Sequence, residues 1–155
     1  MANSPEENLA DLSITLNEVS QPIASYVNCV RTGNLLFLSG KGPIKPDDTY
    51  VTGKVGKDLS IEQGYEAARL VAIDHIAVLK DELGDLNKVN RIVKALGMVN
   101  CPDDFVEQAK VINGYSDLMV SVFGEKGRHA RSAVSMHTLP LDFAVEVEVI
   151  VEVKD

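Results

Sequence analysis

The sequence predicts an α+β fold in which two amphipathic helices cover one side of a sheet of about five strands. Three observations predict it. A capping-box pattern at Ser60 opens a long helical apolar stripe, a second such stripe follows Pro102, and the chain closes on a run with valine at every second position. The element order is strand, strand, helix, strand, helix, strand, strand.

Residues 1–25 are polar, with Pro5, Pro22 and a weak periodicity of Leu9, Leu12, Ile14 and Leu16, which allows a short helix or an extended arm. The segments 26–30 and 35–38 flank R-T-G-N, where Gly33 and Asn34 tolerate positive φ, so they form a hairpin. Residues 39–56 hold four glycines and two prolines and form a loop. Ser60-Ile61-Glu62-Gln63 is an S-x-x-Q capping box. The stripe of Ala67, Leu70, Val71, Ile73, Ile76, Ala77, Leu79 and Leu83 runs from it to Gly84. Segment 89–99 is a β-branched strand stopped by Pro102, after which Asp103 or Asp104 caps a second helix ending before Gly124. Segments 132–138 and 143–153 then form a hairpin around Leu139-Pro140-Leu141-Asp142. In its second arm Val145, Val147, Val149, Val151 and Val153 take one face, and Glu146, Glu148, Ile150 and Glu152 the other.

A chain of 155 residues is one ordinary domain. Against 15 basic residues stand 23 acidic ones, a formal charge of -8, which argues against nucleic acid as a partner. The N-terminus has early acids and no apolar core, and no apolar run has the length of a membrane span, so a cytoplasmic protein away from membranes is expected. Cys29 and Cys101 are far apart and outside any C-x-x-C pair, consistent with two reduced thiols.

The chemistry concentrates near the C-terminus. The planar guanidinium of Arg131 can hold a carboxylate with two parallel hydrogen bonds; a solvated strand arginine is the plainer alternative. Glu146 can position water as a base, or simply belong to a screened acidic face. His75, His129 and His137 have no ligand spacing, so no metal is expected. No G-x-S-x-G elbow or Walker A spacing is present. Asn113-Gly114-Tyr115 weakens the second helix, for a close helix contact or for a polar group reaching a neighbouring site.

Four pieces in order carry a family resemblance: S-Y-V-N-C-V-R-T-G-N-L-L-F-L-S-G around Tyr26 to Gly40, the helix-strand-helix middle, V-I-N-G-Y around Asn113, and A-R-S-A-V with L-P and V-E-V-E at the end. The chain resembles the RidA/YjgF family, the reactive intermediate deaminases, also called L-PSP endoribonucleases. Residues 21–155 are the family-like domain on this reading, and 1–20 an N-terminal extension. The resemblance implies a chorismate-mutase-like fold of the bacillus type, a homotrimer, and clefts between subunits that take a small carboxylate ligand without a cofactor. By position Arg131 would grip the carboxylate of a 2-imino or 2-enamine acid, and Glu146 would hold the attacking water. Tyr26, Ser39, Gly40, Lys41 and Asn113 fall at other pocket positions. Lys41 stands where glutamine is common, His129 replaces a proline and Ala133 stands where cysteine can occur, which marks a divergent subgroup. Hydrolysis of reactive 2-enamine/2-imine acids to 2-oxo acids and ammonia is the expected activity. A non-catalytic carboxylate-binding trimer, with Lys41 as a second cation beside Arg131, and an endoribonuclease or translation inhibitor are the alternatives.

Overall fold

The computed structural model describes residues 3–154. Its elements are α1 (Pro5–Asp11), β1 (Cys29–Thr32), β2 (Leu35–Lys41), α2 (Ile61–Leu83), β3 (Val89–Asn100), α3 (Gln108–Phe123), β4 (Ala130–Met136) and β5 (Val145–Val153). The α+β class holds, with one five-stranded mixed sheet of order β1-β2-β5-β3-β4.

The C-terminal hairpin is a correction. β4 runs parallel to β3, and β5 lies antiparallel between β2 and β3. The Pro140 turn does reverse the chain, but it carries β5 past β3 into the centre of the sheet. The five valines of β5, none more than 2% exposed, explain the choice. Each is worth about 1.5–3 kcal/mol when fully buried, and only a central strand beneath the helices buries all of them. Leu36 and Leu38 of β2 and Ile92, Ala95 and Val99 of β3 share that face.

Helices α2 and α3 cover this one face and pack on each other. The Ser60 capping box forms with both reciprocal bonds, Gln63 N to Ser60 Oγ at 3.1 Å and Ser60 N to Gln63 Oε1 at 2.8 Å. Gly84, at φ 71°, ends α2 in the left-handed region that its missing Cβ permits. A Cβ on Gly114 would overlap the backbone carbonyl of Tyr65, so the glycine lowers helix propensity in exchange for close approach of the two helices.

Smaller boundaries also move. Helix α3 starts at Gln108 behind Glu107, with no side-chain cap, so neither Asp103 nor Asp104 caps it. The turn before it is needed to lay Phe105 over Gly56. Strand β1 begins at Cys29, leaving Tyr26 in an irregular arm, and β4 already includes Arg131. The leading residues hold a short capped helix. Leu9 of α1 enters the core, Asn8 bonds the Val122 carbonyl, and Glu6 accepts from Lys80 and from the Leu86 amide. Among the described residues no helix is long and apolar enough to cross a membrane, and Cys29 and Cys101 are free thiols.

Candidate functional site

The first cluster of expected residues is built by a break in the β2–β5 ladder. Leu38 pairs with Val149 and Lys41 with Val147, so Ser39 and Gly40 together face one residue of β5, a bulge. The bulge brings the Gly40 backbone against Glu146, where a Cβ would overlap the carboxylate. Here glycine is required for close approach, not for an unusual φ. Glu146 is half-buried; burial raises its carboxyl above the usual glutamate range, and the charge of Glu148 on the same strand face adds to the rise.

Tyr26, Ser39, Gly40, Lys41 and Glu146 line one cleft of about 580 Å³. Its apolar wall includes Tyr50 and Phe143, whose rings lie 4.8 Å apart at 44°. The irregular arm closes one side and is pinned there: Ser39 Oγ donates to the Val27 carbonyl at 2.6 Å, and Asn28 Nδ2 to that of Ser20 at 2.9 Å. Lys41 is ion-paired within its own chain. Its ammonium donates to Asn28 Oδ1 at 2.8 Å and pairs with the buried Asp74 at 3.5 Å. Burial raises the Asp74 carboxyl, and Lys41 partly offsets this.

Behind the cleft lies a buried polar pair. His75 of α2 sits 3.0 Å from the Ser39 carbonyl through Nε2 and 2.9 Å from the Tyr115 hydroxyl through Nδ1. A carbonyl only accepts, so Nε2 carries the proton, and Nδ1 accepts from Tyr115. Burial, with some help from Lys41, lowers the His75 pKa to about 4, so the ring is neutral.

Arg131 and Asn113 form the second cluster. Nη1 of Arg131 donates to Asn113 Oδ1 at 3.0 Å and to Ser116 Oγ at 3.1 Å, and Nη2 donates to the Ala109 carbonyl at 3.4 Å. All three acceptors belong to α3, and none is charged. His129 fixes the roles here as well. Its Nδ1 donates to the Gly127 carbonyl at 2.7 Å, so Nε2 accepts from Ser116 at 2.9 Å, leaving the serine oxygen to accept from Arg131. Burial, then the Arg131 charge, lowers the His129 pKa and favours this neutral state.

The two clusters lie on opposite faces of the sheet. Arg131 pairs with Ala95, on the helix-covered face, whereas Glu146 pairs with Met98, three residues further along β3 and therefore on the other face. The open face is partly apolar, with Phe37 43% and Val134 37% exposed. Asn28, Asp74, His75, Tyr115 and Ser116 also build these clusters, in contacts that the sequence does not mark. A signal for one pair was available, since Asp74-His75 interrupts the otherwise apolar V-A-I-D-H-I-A-V-L of α2. Among the described residues no group of three His, Cys, Asp or Glu side chains could hold a metal.

Comparison with known proteins gives a consistent result. Residues 6–153 match the family described as "YjgF/chorismate_mutase-like, putative endoribonuclease". The chain is 42% identical over 149 residues to protein TCP17 of Trypanosoma cruzi, covering 96% of this chain and 93% of that protein. It is also 28% identical to the 2-iminobutanoate/2-iminopropanoate deaminase of Escherichia coli K12, covering 89% and 94%. The crystal structure of Agrobacterium tumefaciens protein Atu1372 superimposes with a TM-score of 0.90 at 42% identity, covering 97% of this chain and 92% of that one.

Proposed function

Because this chain belongs to the YjgF/chorismate_mutase-like family, we propose that it hydrolyses reactive 2-enamine/2-imine acids to 2-oxo acids and ammonia in clefts shared between protomers of a homotrimer. The observation that carries the proposal is the split between two clusters: an arginine held by neutral acceptors of α3 on one face of the sheet and a half-buried glutamate on the other. Neither half suffices for the reaction. A symmetric ring in which the Arg131 edge of one protomer meets the Glu146 cleft of the next makes each cleft complete. The partly apolar open face, with Phe37 and Val134, supports burial between protomers.

The chemistry needs no redox step. Arg131, whose partners among the described residues are an amide, a hydroxyl and a carbonyl, has its charge available for the substrate carboxylate. The imine carbon is already electrophilic. Glu146 takes a proton from water as its oxygen bonds to that carbon and passes it to nitrogen, giving a carbinolamine; it then takes the hydroxyl proton and delivers it to nitrogen as the C=O bond forms and the C–N bond breaks, so that ammonia leaves a 2-oxo acid. A glutamate pushed upward by burial is better matched to this two-way transfer near neutral pH than an ordinary one.

The test is complementation. Arg131→Ala and Glu146→Gln proteins are each expected to fail in speeding ammonia release from freshly generated 2-aminoacrylate. Co-refolded one to one, they should recover about a quarter of wild-type activity, because roughly three-quarters of random trimers are mixed and each holds one intact cleft. Activity in neither the wild type nor the mixture would reject the reading. The family description also names endoribonuclease; RNA cleavage by wild type that is lost in Arg131→Ala would favour that activity instead, against the formal charge of -8.

A further inference from the structure

We propose that His75 and Tyr115 are positioning residues for Glu146, acting through the Ser39–Gly40 peptide. The inference rests on the cleft chemistry proposed above, but its geometry stands apart from that chemistry. His75 and Tyr115 are both fully buried, each in a different helix. Tyr115 donates to His75 Nδ1 at 2.9 Å and His75 Nε2–H donates to the Ser39 carbonyl at 3.0 Å. The recipient carbonyl lies in the bulge, where the strand register skips Ser39 and Gly40 and the ladder no longer fixes the peptide. The next residue, Gly40, packs so closely on Glu146 that even a methyl group would strike the carboxylate.

A chain of contacts therefore runs from the α3 hydroxyl, through the α2 imidazole and the β2 peptide, to the acid on β5. The proton positions along it are determined, because the carbonyl accepts and the neutral ring has one donor and one acceptor. Two apolar side chains would fill the same core volume without holding the bulge carbonyl. The polar pair is explained by what it orients. The charged groups facing the cleft are Glu146 and Lys41 from the sheet and Asp74 from α2, with Glu148 next along the strand face from Glu146. None of them is altered by substitution at His75 or Tyr115.

Three variants test this. His75→Leu removes the donor to Ser39, His75→Gln keeps an N–H at similar reach, and Tyr115→Phe removes only the hydroxyl that selects the tautomer. Two readouts are used: ¹³C NMR titration of the Glu146 carboxyl carbon, which needs no turnover, and kcat and KM for 2-aminoacrylate hydrolysis. In His75→Leu the Glu146 titration midpoint should fall toward the ordinary glutamate value and kcat should drop about tenfold, with KM, governed by Arg131, little changed. His75→Gln should restore both, and Tyr115→Phe should lie between. An unchanged Glu146 midpoint in folded His75→Leu, or in Tyr115→Phe if the leucine variant does not fold, overturns the inference. A shifted midpoint in a protein whose wild type releases no ammonia would keep the positioning role and reject the deaminase reading instead.

Discussion

The Glu146 end of the proposed site is shaped mainly by main chain, and the Arg131 end mainly by side chains. At the first, a bulge, a glycine and a buried carbonyl contact hold a carboxylate that burial disfavours. At the second, a guanidinium rests on an amide, a hydroxyl and a carbonyl presented by one helix. The first arrangement tunes a proton affinity and tolerates little added volume. The second aims a charge and depends on donor geometry. One sheet carries both because adjacent residues of a strand point to opposite faces.

The largest expected effect attacks the aiming. Arg131→Lys keeps the charge but loses the planar fork spanning Asn113 and Ser116, and kcat/KM for 2-aminoacrylate should fall at least about a hundredfold. Ammonia-release kinetics measure it, and a fall below tenfold would mean that charge alone suffices. A pair of glycine substitutions sharpens the contrast next. Gly40→Ala drives a methyl group into the Glu146 carboxylate and should lower kcat about tenfold or more, with a modest change in stability. Gly114→Ala meets the Tyr65 backbone carbonyl, which cannot swing aside, and should cost roughly 3 kcal/mol in urea unfolding.

The buried histidine supplies a pH test of stability. Its folded pKa of about 4 lies below the ordinary histidine value of 6.5. Between these values the unfolded chain binds a proton that the folded one does not, so stability is full above pH 6.5 and declines as pH falls toward 4. The decline from this group is roughly 2–4 kcal/mol. Urea midpoints measured across that window should be flatter in His75→Gln than in wild type. The smallest effect is electrostatic: Glu148→Gln removes the neighbouring charge that raises Glu146, so the acid limb of the kcat/KM profile should move modestly downward. An upward movement would contradict the assignment of that limb to Glu146.

Much of this arrangement was legible in the sequence, for local reasons. The Ser60 box, the Gly84 stop and the valine alternation of β5 are short-range signals, and the helices and faces followed from them. Strand order was not legible in the same way. Leu139 to Asp142 reads as a turn whether the chain returns beside β4 or passes on to lie beside β3, and only the depth at which the valines are buried decides. The relation of Arg131 to Glu146 was hidden for that reason, since their relative faces depend on which strands pair. The ion pair of Lys41 was hidden differently: its charge is visible in the sequence, but its partner Asp74 lies on another element.

The position of β5 also bears on how the chain is made. This strand is translated after the other four, yet it occupies the middle of the sheet and separates β2 from β3. Until it emerges from the ribosome, β2 and β3 both lack the strand that each hydrogen-bonds in the finished sheet. Closure of the sheet awaits that segment, and strand edges left open until then are exposed to wrong pairing.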